Sequence, residues 1–384
     1  MELTPRQQSD RAAFRAFVER EIAPYADDFD RRECVPTELI RKVAREGYMG
    51  LSLPAEHGGA GRDFVTLGLL HEEVGRGCSS VRSLLTVHGM VAQAVLRWGG
   101  PELRGRWLPA LARGEVVAAY ALSEPNAGSD AAAVESRAER DGECYVLNGR
   151  KRWISFGQVA DLFLVFARCE GGPAALLVER GAPGLETEPI RGMLGTRASM
   201  LAEVRMKDCR VPRANLIGRE GFGLTHVLPT TLDFGRYSVA WGCVGIARAC
   251  LEACVRYASE RKQFGARLLD HQLVRRMITE MIVNTRAARL LCQQAGRSKD
   301  AGEPSTLVET LIAKYFASTA ASRIARDAVQ IHGANGCGGE YPVQRYLRDA
   351  AVMEIIEGST EVLQSTIAEC EAPNIIHAEE AATA

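Results

Sequence analysis

The hydrophobic period of this chain changes twice, and that change narrows the folds open to it. Near the start, Phe14, Phe17, Val18 and Ile22 fall at i, i+3, i+4 and i+8, the stripe of a helix burying one face. Pro24 ends the stripe. A second helix opens at Pro36-Thr37, turns Leu39, Ile40, Val43 and Ala44 inward, and stops at Gly47. The middle third reads as strands. Tyr145 and Leu147 alternate with polar residues, and Asn148-Gly149 carries the hairpin-turn signal. Leu162 to Ala167 and Ala174 to Val178 are short apolar runs, followed by Gly184. After Gly223 the helical pattern returns. Thr306-x-x-Glu309 reads as a capping box ahead of Leu307, Leu311 and Tyr315, with Ile312 and Phe316 beside them. These later helices are apolar on more than one face, which implies a bundle with some faces covered by another subunit.

The expected fold is therefore mainly α with a central β-barrel. An N-terminal helical domain spans 1–118, the barrel 119–225 and a C-terminal four-helix bundle 226–384. The last residues, from about Pro373, read as a frayed tail. With 384 residues, the chain is too long for one ordinary core.

Composition removes several function classes. A net charge of −1 leaves no electrostatic footprint for nucleic acid. No continuous apolar run approaches the roughly 18 residues of a membrane span. Met1-Glu2-Leu3-Thr4 has neither the basic nor the apolar region of a signal peptide. The 11 cysteines are scattered without a CxxC pair, and the 7 histidines form no HExxH or HxH pattern. Free thiols in a reducing cytoplasm and no metal site are expected. Gly58-Gly59-Ala60-Gly61 follows no strand. Gly333-Ala334-Asn335-Gly336 follows a helix, whereas a dinucleotide-binding turn needs a strand before it. GxSxG and P-loop patterns are absent, so bound nicotinamide or ATP is not expected.

Four stretches together resemble the acyl-CoA dehydrogenase superfamily. Tyr120-Ala-Leu-Ser-Glu-Pro-Asn-Ala-Gly-Ser-Asp130 is similar to its first signature. Arg261-Lys-Gln-Phe-Gly265 with His271-Gln272 is similar to its flavin-diphosphate segment, Gln330-Ile-His-Gly-Ala-Asn-Gly336 to a third, and Glu357-Gly-Ser-Thr-Glu361 to the one that carries the base. Their order and spacing match over essentially the whole chain. The resemblance implies FAD between barrel and bundle, with part of the nucleotide held by a neighbouring subunit of a homodimer or homotetramer.

The site residues follow. Leu122 and Ser123 stand where a strand enters the Glu124–Gly128 turn, and backbone amides there suit the flavin's pyrimidine edge. Gly128 permits close approach, and Ser129 donates or accepts, toward flavin or substrate. By resemblance Trp153 covers a flavin face and Ser155 reaches its N5 edge. Arg261 pairs with the diphosphate through a guanidinium suited to that geometry, Phe264 and Gln272 line the same pocket, and Gln330, Gly333, Ser359 and Glu361 complete the cofactor set. Glu357 follows Ile355-Ile356 at an apolar edge, where desolvation favours a general base working near neutral pH. Glu354 is the competing acid. Arg236 is placed near the thioester arm or the Glu357 loop, and bulky Trp241 either shortens the acyl tunnel or packs the bundle. Glu361 stands where the family usually has Gln, and Ala334 where it often has Gly.

Cys78-Ser-Ser-Val-Arg-Ser83, Tyr237 to Ile246 and Met353 to Ser359 resemble the acyl-carrier-protein-linked branch of hydroxymalonyl and methoxymalonyl extender-unit biosynthesis. A short acyl thioester on acyl carrier protein, or on CoA, is the implied substrate, with an electron-transfer flavoprotein or oxygen as acceptor. A catabolic short- or branched-chain acyl-CoA dehydrogenase is the alternative. A flavin oxidase or monooxygenase and a non-catalytic binding module stand behind it.

Overall fold

The computed structural model describes the backbone of residues 2–383. In chain order, α1 spans Pro5–Glu21, α2 Ala26–Arg32, α3 Thr37–Arg45, α4 Phe64–Gly77, α5 Ser79–Trp98 and α6 Pro101–Ala112. The strands follow: β1 Ala118–Ala121, β2 Arg137–Asp141, β3 Cys144–Ile154, β4 Leu162–Ala167, β5 Ala174–Glu179, β6 Leu185–Pro189, β7 Ala202–Pro212 and β8 Leu216–Ile217. Then come α7 Leu228–Glu260, a small hairpin of β9 Lys262–Gln263 and β10 Ala266–Arg267, and α8 Gln272–Ala301. α9 Thr306–His332, α10 Val343–Met353 and α11 Thr360–Thr383 close the chain. The expected order of helices, strands and helices holds.

By contact the chain forms two compact units interleaved in sequence. One is residues 1–19, 64–79 and 236–384; the other is 20–63 and 80–235. We call them the helical unit and the β unit.

In the β unit, the strands pair as two four-stranded sheets, β1-β4-β5-β8 and β2-β3-β7-β6. A parallel bridge between Arg137 and Arg168 joins them. Their inner faces share one core. Phe163, Val165, Leu176 and Val178 from the first sheet and Tyr145, Leu147, Val204 and Met206 from the second are buried together. The expected barrel takes this form of two sheets over a common core. β4 is buried at every position, which is why its sequence reads as an unbroken apolar run.

The hairpin turn is not where Asn148-Gly149 suggested. It joins β2 to β3, with Asp141 opposite Cys144 and Gly142 at φ +57°. Asn148-Gly149 lies inside β3, where the pairing with β7 shifts register. Gly149 has φ +154°, and a Cβ there would fall 2.2 Å from the Ser136 hydroxyl. The dipeptide makes a bulge, the other local structure that a strand glycine permits.

In the helical unit, α4 and α7 approach through glycines. A Cβ on Gly68 would fall 2.2 Å from the Trp241 ring, one on Gly75 2.9 Å from Gly242, and one on Gly245 2.3 Å from the Glu72 carbonyl. Beside this contact Glu72 and Glu73, fully buried, sit among guanidinium groups. Arg289 and Arg248 reach Glu72 at 2.6 and 2.7 Å, and Arg248 reaches Glu73 at 2.6 Å. Burial opposes ionisation of Glu72, but the arginines hold its carboxyl below the usual range.

Two further expectations are corrected, and a third is refined. α9 begins with Ser305 at its N-cap, and that side chain makes no capping bond. Thr306 is already helical, so its hydroxyl cannot serve the Glu309 amide, which bonds to the Ser305 carbonyl at 3.0 Å. No capping box forms. The tail expected to fray beyond Pro373 continues as helix α11 to Thr383. Finally, the helix over Gly223–Glu260 is long and apolar enough by composition to cross a membrane, but 78% of its most apolar stretch is buried inside the fold. It reads as a core helix.

Candidate active site

In the helical unit, the candidate base lies on the short loop between α10 and α11. The amides of Ile355 and Ile356 both donate to the Val352 carbonyl, at 3.0 and 3.1 Å, so α10 ends in a tight turn. The next two residues leave the right-handed region: Glu357 has φ +57° and Gly358 φ +102°. A left-handed glutamate costs roughly 1–2 kcal/mol. Such a residue persists only where its surroundings over-determine it. Two cations do so here. Arg236 Nε, from α7, donates to the Glu357 carbonyl at 3.0 Å. Lys314 Nζ, from α9, donates to the Gly358 carbonyl at 2.7 Å. Charge-assisted bonds of this kind contribute about 1.5–3 kcal/mol each, enough to offset the strain.

Arg236 therefore steadies the base loop, one of the two places expected for it. Lys314 was not anticipated. Its side chain is completely buried, and burial pushes its ammonium down to about 8. The competing acid, Glu354, serves the start of α11: its carbonyl accepts the Thr360 amide at 3.0 Å, and its carboxylate lies 3.5 Å from the Thr360 hydroxyl. Ser359 is half-buried and Glu361 exposed in the first turn of α11, where an acid suits the helix dipole. Trp241 is completely buried against Gly68, which accounts for its bulk as packing between α4 and α7.

The same unit carries the expected diphosphate segment. Arg261 follows α7, exposed, and the β9–β10 hairpin turns through Phe264 at φ +52° and Gly265 at φ +76°. Two successive left-handed residues are what a two-residue hairpin of this kind requires. The Leu268 amide closes the hairpin onto the Arg261 carbonyl at 2.8 Å. Phe264 is 98% exposed. Gln272, Gln330 and Gly333 are exposed as well, and Ala334 beside them is too. The Gly333 loop is anchored by Tyr257, which stacks on His332 at 4.3 Å and accepts from Asn335 Nδ2 at 2.9 Å.

In the β unit, Leu122 and Ser123 follow β1 into a turn closed by Glu124 and Ala127, whose amides and carbonyls bond reciprocally at 2.8 and 3.3 Å. Reading along the chain missed what holds this turn. The Glu124 carboxylate, buried, accepts from Lys151 Nζ at 2.6 Å and from the Ser136 amide at 3.0 Å. Lys151 also donates to the Leu122 carbonyl at 3.1 Å, and the Arg152 amide to the Ser123 carbonyl at 2.8 Å. The turn is thus stapled to β3, one residue before Trp153. Trp153 is left-handed at φ +64° and 45% exposed, with the Arg152 guanidinium 4.5 Å from its ring centre. Ser155 is half-buried; Gly128 and Ser129 are exposed.

These residues fit a flavin nucleotide. At Gly128 an added Cβ would meet nothing within 4 Å, so neither crowding nor a left-handed backbone explains the glycine. The position leaves room for another group to approach the backbone. In the β unit Trp153 offers an exposed aromatic face; in the helical unit Arg261 offers an exposed guanidinium and Phe264 an exposed ring. In this structure Glu357, Ser359, Arg236 and Lys314 come together in the helical unit, and Leu122, Ser123 and Trp153 in the β unit.

The N-terminal, middle and C-terminal domain models of acyl-CoA dehydrogenase match residues 4–115, 119–209 and 221–371. Acryloyl-CoA reductase (NADH) of Anaerotignum propionicum is 37% identical over 373 residues, covering 95% of this chain and 94% of that protein. The mitochondrial short-chain specific acyl-CoA dehydrogenase of Rattus norvegicus is 36% identical over 374 residues, covering 96% and 90%. Among solved structures, a Mycobacterium smegmatis glutaryl-CoA dehydrogenase in complex with FADH2 superimposes with TM-score 0.91 at 30% identity, covering 96% of this chain and 95% of that one. FkbI, for biosynthesis of the methoxymalonyl extender unit of the FK520 polyketide immunosuppressant, does so with TM-score 0.87 at 34% identity, covering 94% and 99%.

Proposed function

Since the chain belongs to the acyl-CoA dehydrogenase family, whose members are FAD-dependent oxidoreductases acting on the CH–CH bond of acyl thioesters, we propose that it dehydrogenates a short acyl thioester with Glu357 as the base. The observation that carries this reading is the conformation of Glu357: a left-handed glutamate whose own carbonyl and the next are each held by a cation. Glu33 and Asp208 are left-handed as well, but strain at an acid whose own carbonyl and the next are held by cations points to a side chain aimed for use.

The Glu357 carboxylate takes the α-proton and becomes a carboxylic acid. The electron pair of that C–H bond becomes the new Cα–Cβ π bond as the β-carbon loses hydride. FAD, when bound, supplies the hydride acceptor. Leu122, Ser123, Gly128, Ser129, Trp153 and Ser155 would hold its ring end. Arg261, Phe264, Gln272, Gln330, Gly333, Ser359 and Glu361 would hold the nucleotide, some of them in a neighbouring subunit of a homodimer or homotetramer. The exposed Phe264 supports that assembly. An α-proton of a thioester is only weakly acidic, so its carbonyl needs hydrogen-bond donors as well as a base. A Glu357→Gln variant that keeps FAD should lose about 10²–10⁴-fold in kcat; full turnover would end this reading.

The carrier is proposed to be an acyl carrier protein, in a route to a polyketide extender unit. The likeness of Cys78–Ser83, Tyr237–Ile246 and Met353–Ser359 to that branch, and the likeness to FkbI, support it. The likeness to a short-chain specific enzyme favours a second reading, oxidation of a CoA thioester. Comparing kcat/KM for one butyryl group on CoA and on carrier protein decides between them: faster turnover on CoA rejects the first. Reduction of electron-transfer flavoprotein against peroxide formation in air identifies the acceptor.

A further inference from the structure

Stability does not explain why residue 314 is a lysine. Its side chain is completely buried in α9, and its ammonium makes one hydrogen bond, to the Gly358 carbonyl at 2.7 Å. No carboxylate lies within ion-pair distance among the described residues. A methionine would fill the same space without removing a charge from water, which is ordinarily the more stable arrangement. The lysine reaches out of its helix to the carbonyl of Gly358, the residue that follows the candidate base.

The geometry shows what that contact does. In a trans peptide the N–H lies opposite the C=O. Fixing the carbonyls of Glu357 and Gly358 therefore fixes the two peptide planes that flank Gly358, and with them its left-handed backbone; the first of these planes is also the one through which the chain leaves Glu357. Arg236 on α7 holds the first plane and Lys314 on α9 the second. With one plane released, the loop can relax toward ordinary backbone, and the Glu357 side chain leaves the chain in a different direction. We infer that Lys314 is a positioning residue for the base: by holding the Gly358 carbonyl it sets the direction of the Glu357 carboxylate. This rests on Glu357 being the base. The charged and titratable groups that bear on Lys314 are Cys243 and Arg236 from α7 and Glu357 and Glu354 from the loop.

The test uses the full-length holoprotein with butyryl-CoA, unlabelled and deuterated at the α-carbon, and an artificial electron acceptor. For Lys314→Met the expectation is full flavin content, KM within about threefold of wild type, and kcat lower by about 100-fold, the cost of a small misplacement of a reacting group. The α-deuterium isotope effect on kcat should rise, because proton removal is the step that slows. Lys314→Arg should recover about tenfold of the loss. Turnover within about threefold of wild type overturns the inference. So does a loss of kcat with an unchanged isotope effect, or one that follows flavin loss. If the methionine variant does not fold, Lys314→Gln takes its place, and failure of both to fold assigns the lysine to the scaffold. Glu357→Gln is run alongside: if that variant stays active, the base assignment itself has failed, whereas an inactive Glu357→Gln beside a fully active Lys314→Met defeats this inference alone.

Discussion

Each unit of the molecule buries one lysine next to the residues that matter, and the two are held differently. Lys151 in the β unit and Lys314 in the helical unit are both completely buried, and burial pushes both down to about 8. Lys151 meets a buried carboxylate, Glu124, at 2.6 Å. Among the described residues Lys314 meets only a backbone carbonyl, at 2.7 Å. The first lysine closes an ion pair that staples the Leu122–Ala127 turn onto β3. The second gives up solvation to orient one peptide. The same residue type in the same degree of burial is structural where its partner is charged and serves geometry where it is not.

The comparison breaks most readily at the ion pair. Lys151→Met would leave Glu124 buried without its cation, a change that costs about 3–5 kcal/mol. Lys314→Met should leave stability within about 1 kcal/mol, because relief of a buried charge offsets the lost bond. Denaturant unfolding of the two variants measures the contrast, and equal destabilisation would erase it.

A smaller effect appears in pH dependence. A lysine whose folded pKa lies below its unfolded value binds fewer protons in the fold, so stability rises with pH from about 8 toward the unfolded value. Each lysine contributes at most about 3 kcal/mol across that window. Above the ordinary thiol range the trend is opposed. Burial raises Cys169 and Cys254 to about 12 and Cys209 to about 11, and a thiol raised in the fold withdraws stability as pH climbs. The clean window is therefore pH 8 to 9, the lower bound from the lysines and the upper from the ordinary thiol value. There the slope of unfolding free energy against pH should be shallower in Lys314→Met than in wild type, by chemical denaturation. An unchanged slope would show that Lys314 titrates normally.

The smallest effect comes from replacing the pair together. Lys151→Met with Glu124→Leu removes both charges, and buried pairs exchanged for apolar side chains are often neutral or stabilising. Thermal unfolding should return to within about 1 kcal/mol of wild type after correction for size. Flavin affinity should still fall, since the staple on the Leu122 carbonyl is gone, and titration of apoprotein with FAD measures it. Retained affinity would show that the turn holds itself.

Neither lysine was visible in the sequence. Lys151 stands between Arg150 and Arg152, a basic run that reads as solvated surface. Lys314 carried a faint signal. With Leu311, Ser318 and Ala321 it falls on the buried stripe of α9, and a charge on such a stripe is a reason to look for its partner. What could be read directly was set locally. β4 announced itself because all six residues are buried, and α3 because Pro36 and Gly47 bracket it. Glu357 was singled out from its segment, but its left-handed backbone was not, because the cations that hold it are 121 and 44 residues away along the chain. The Asn148-Gly149 and Thr306–Glu309 readings failed for a related reason: each pattern is compatible with two local structures, and pairing with β7 or an earlier helix start decided between them.

The left-handed turn at 357 also says which change the loop would tolerate best. Glycine adopts that backbone at no steric cost, whereas most other residue types are penalised there. Drift from acid to glycine would therefore erase the proposed proton acceptor and leave the backbone around it unstrained. If the proposed role of Glu357 holds, a descendant with that single exchange should bind the proposed thioester and return it unaltered, so a receptor lies one codon's reach from an enzyme.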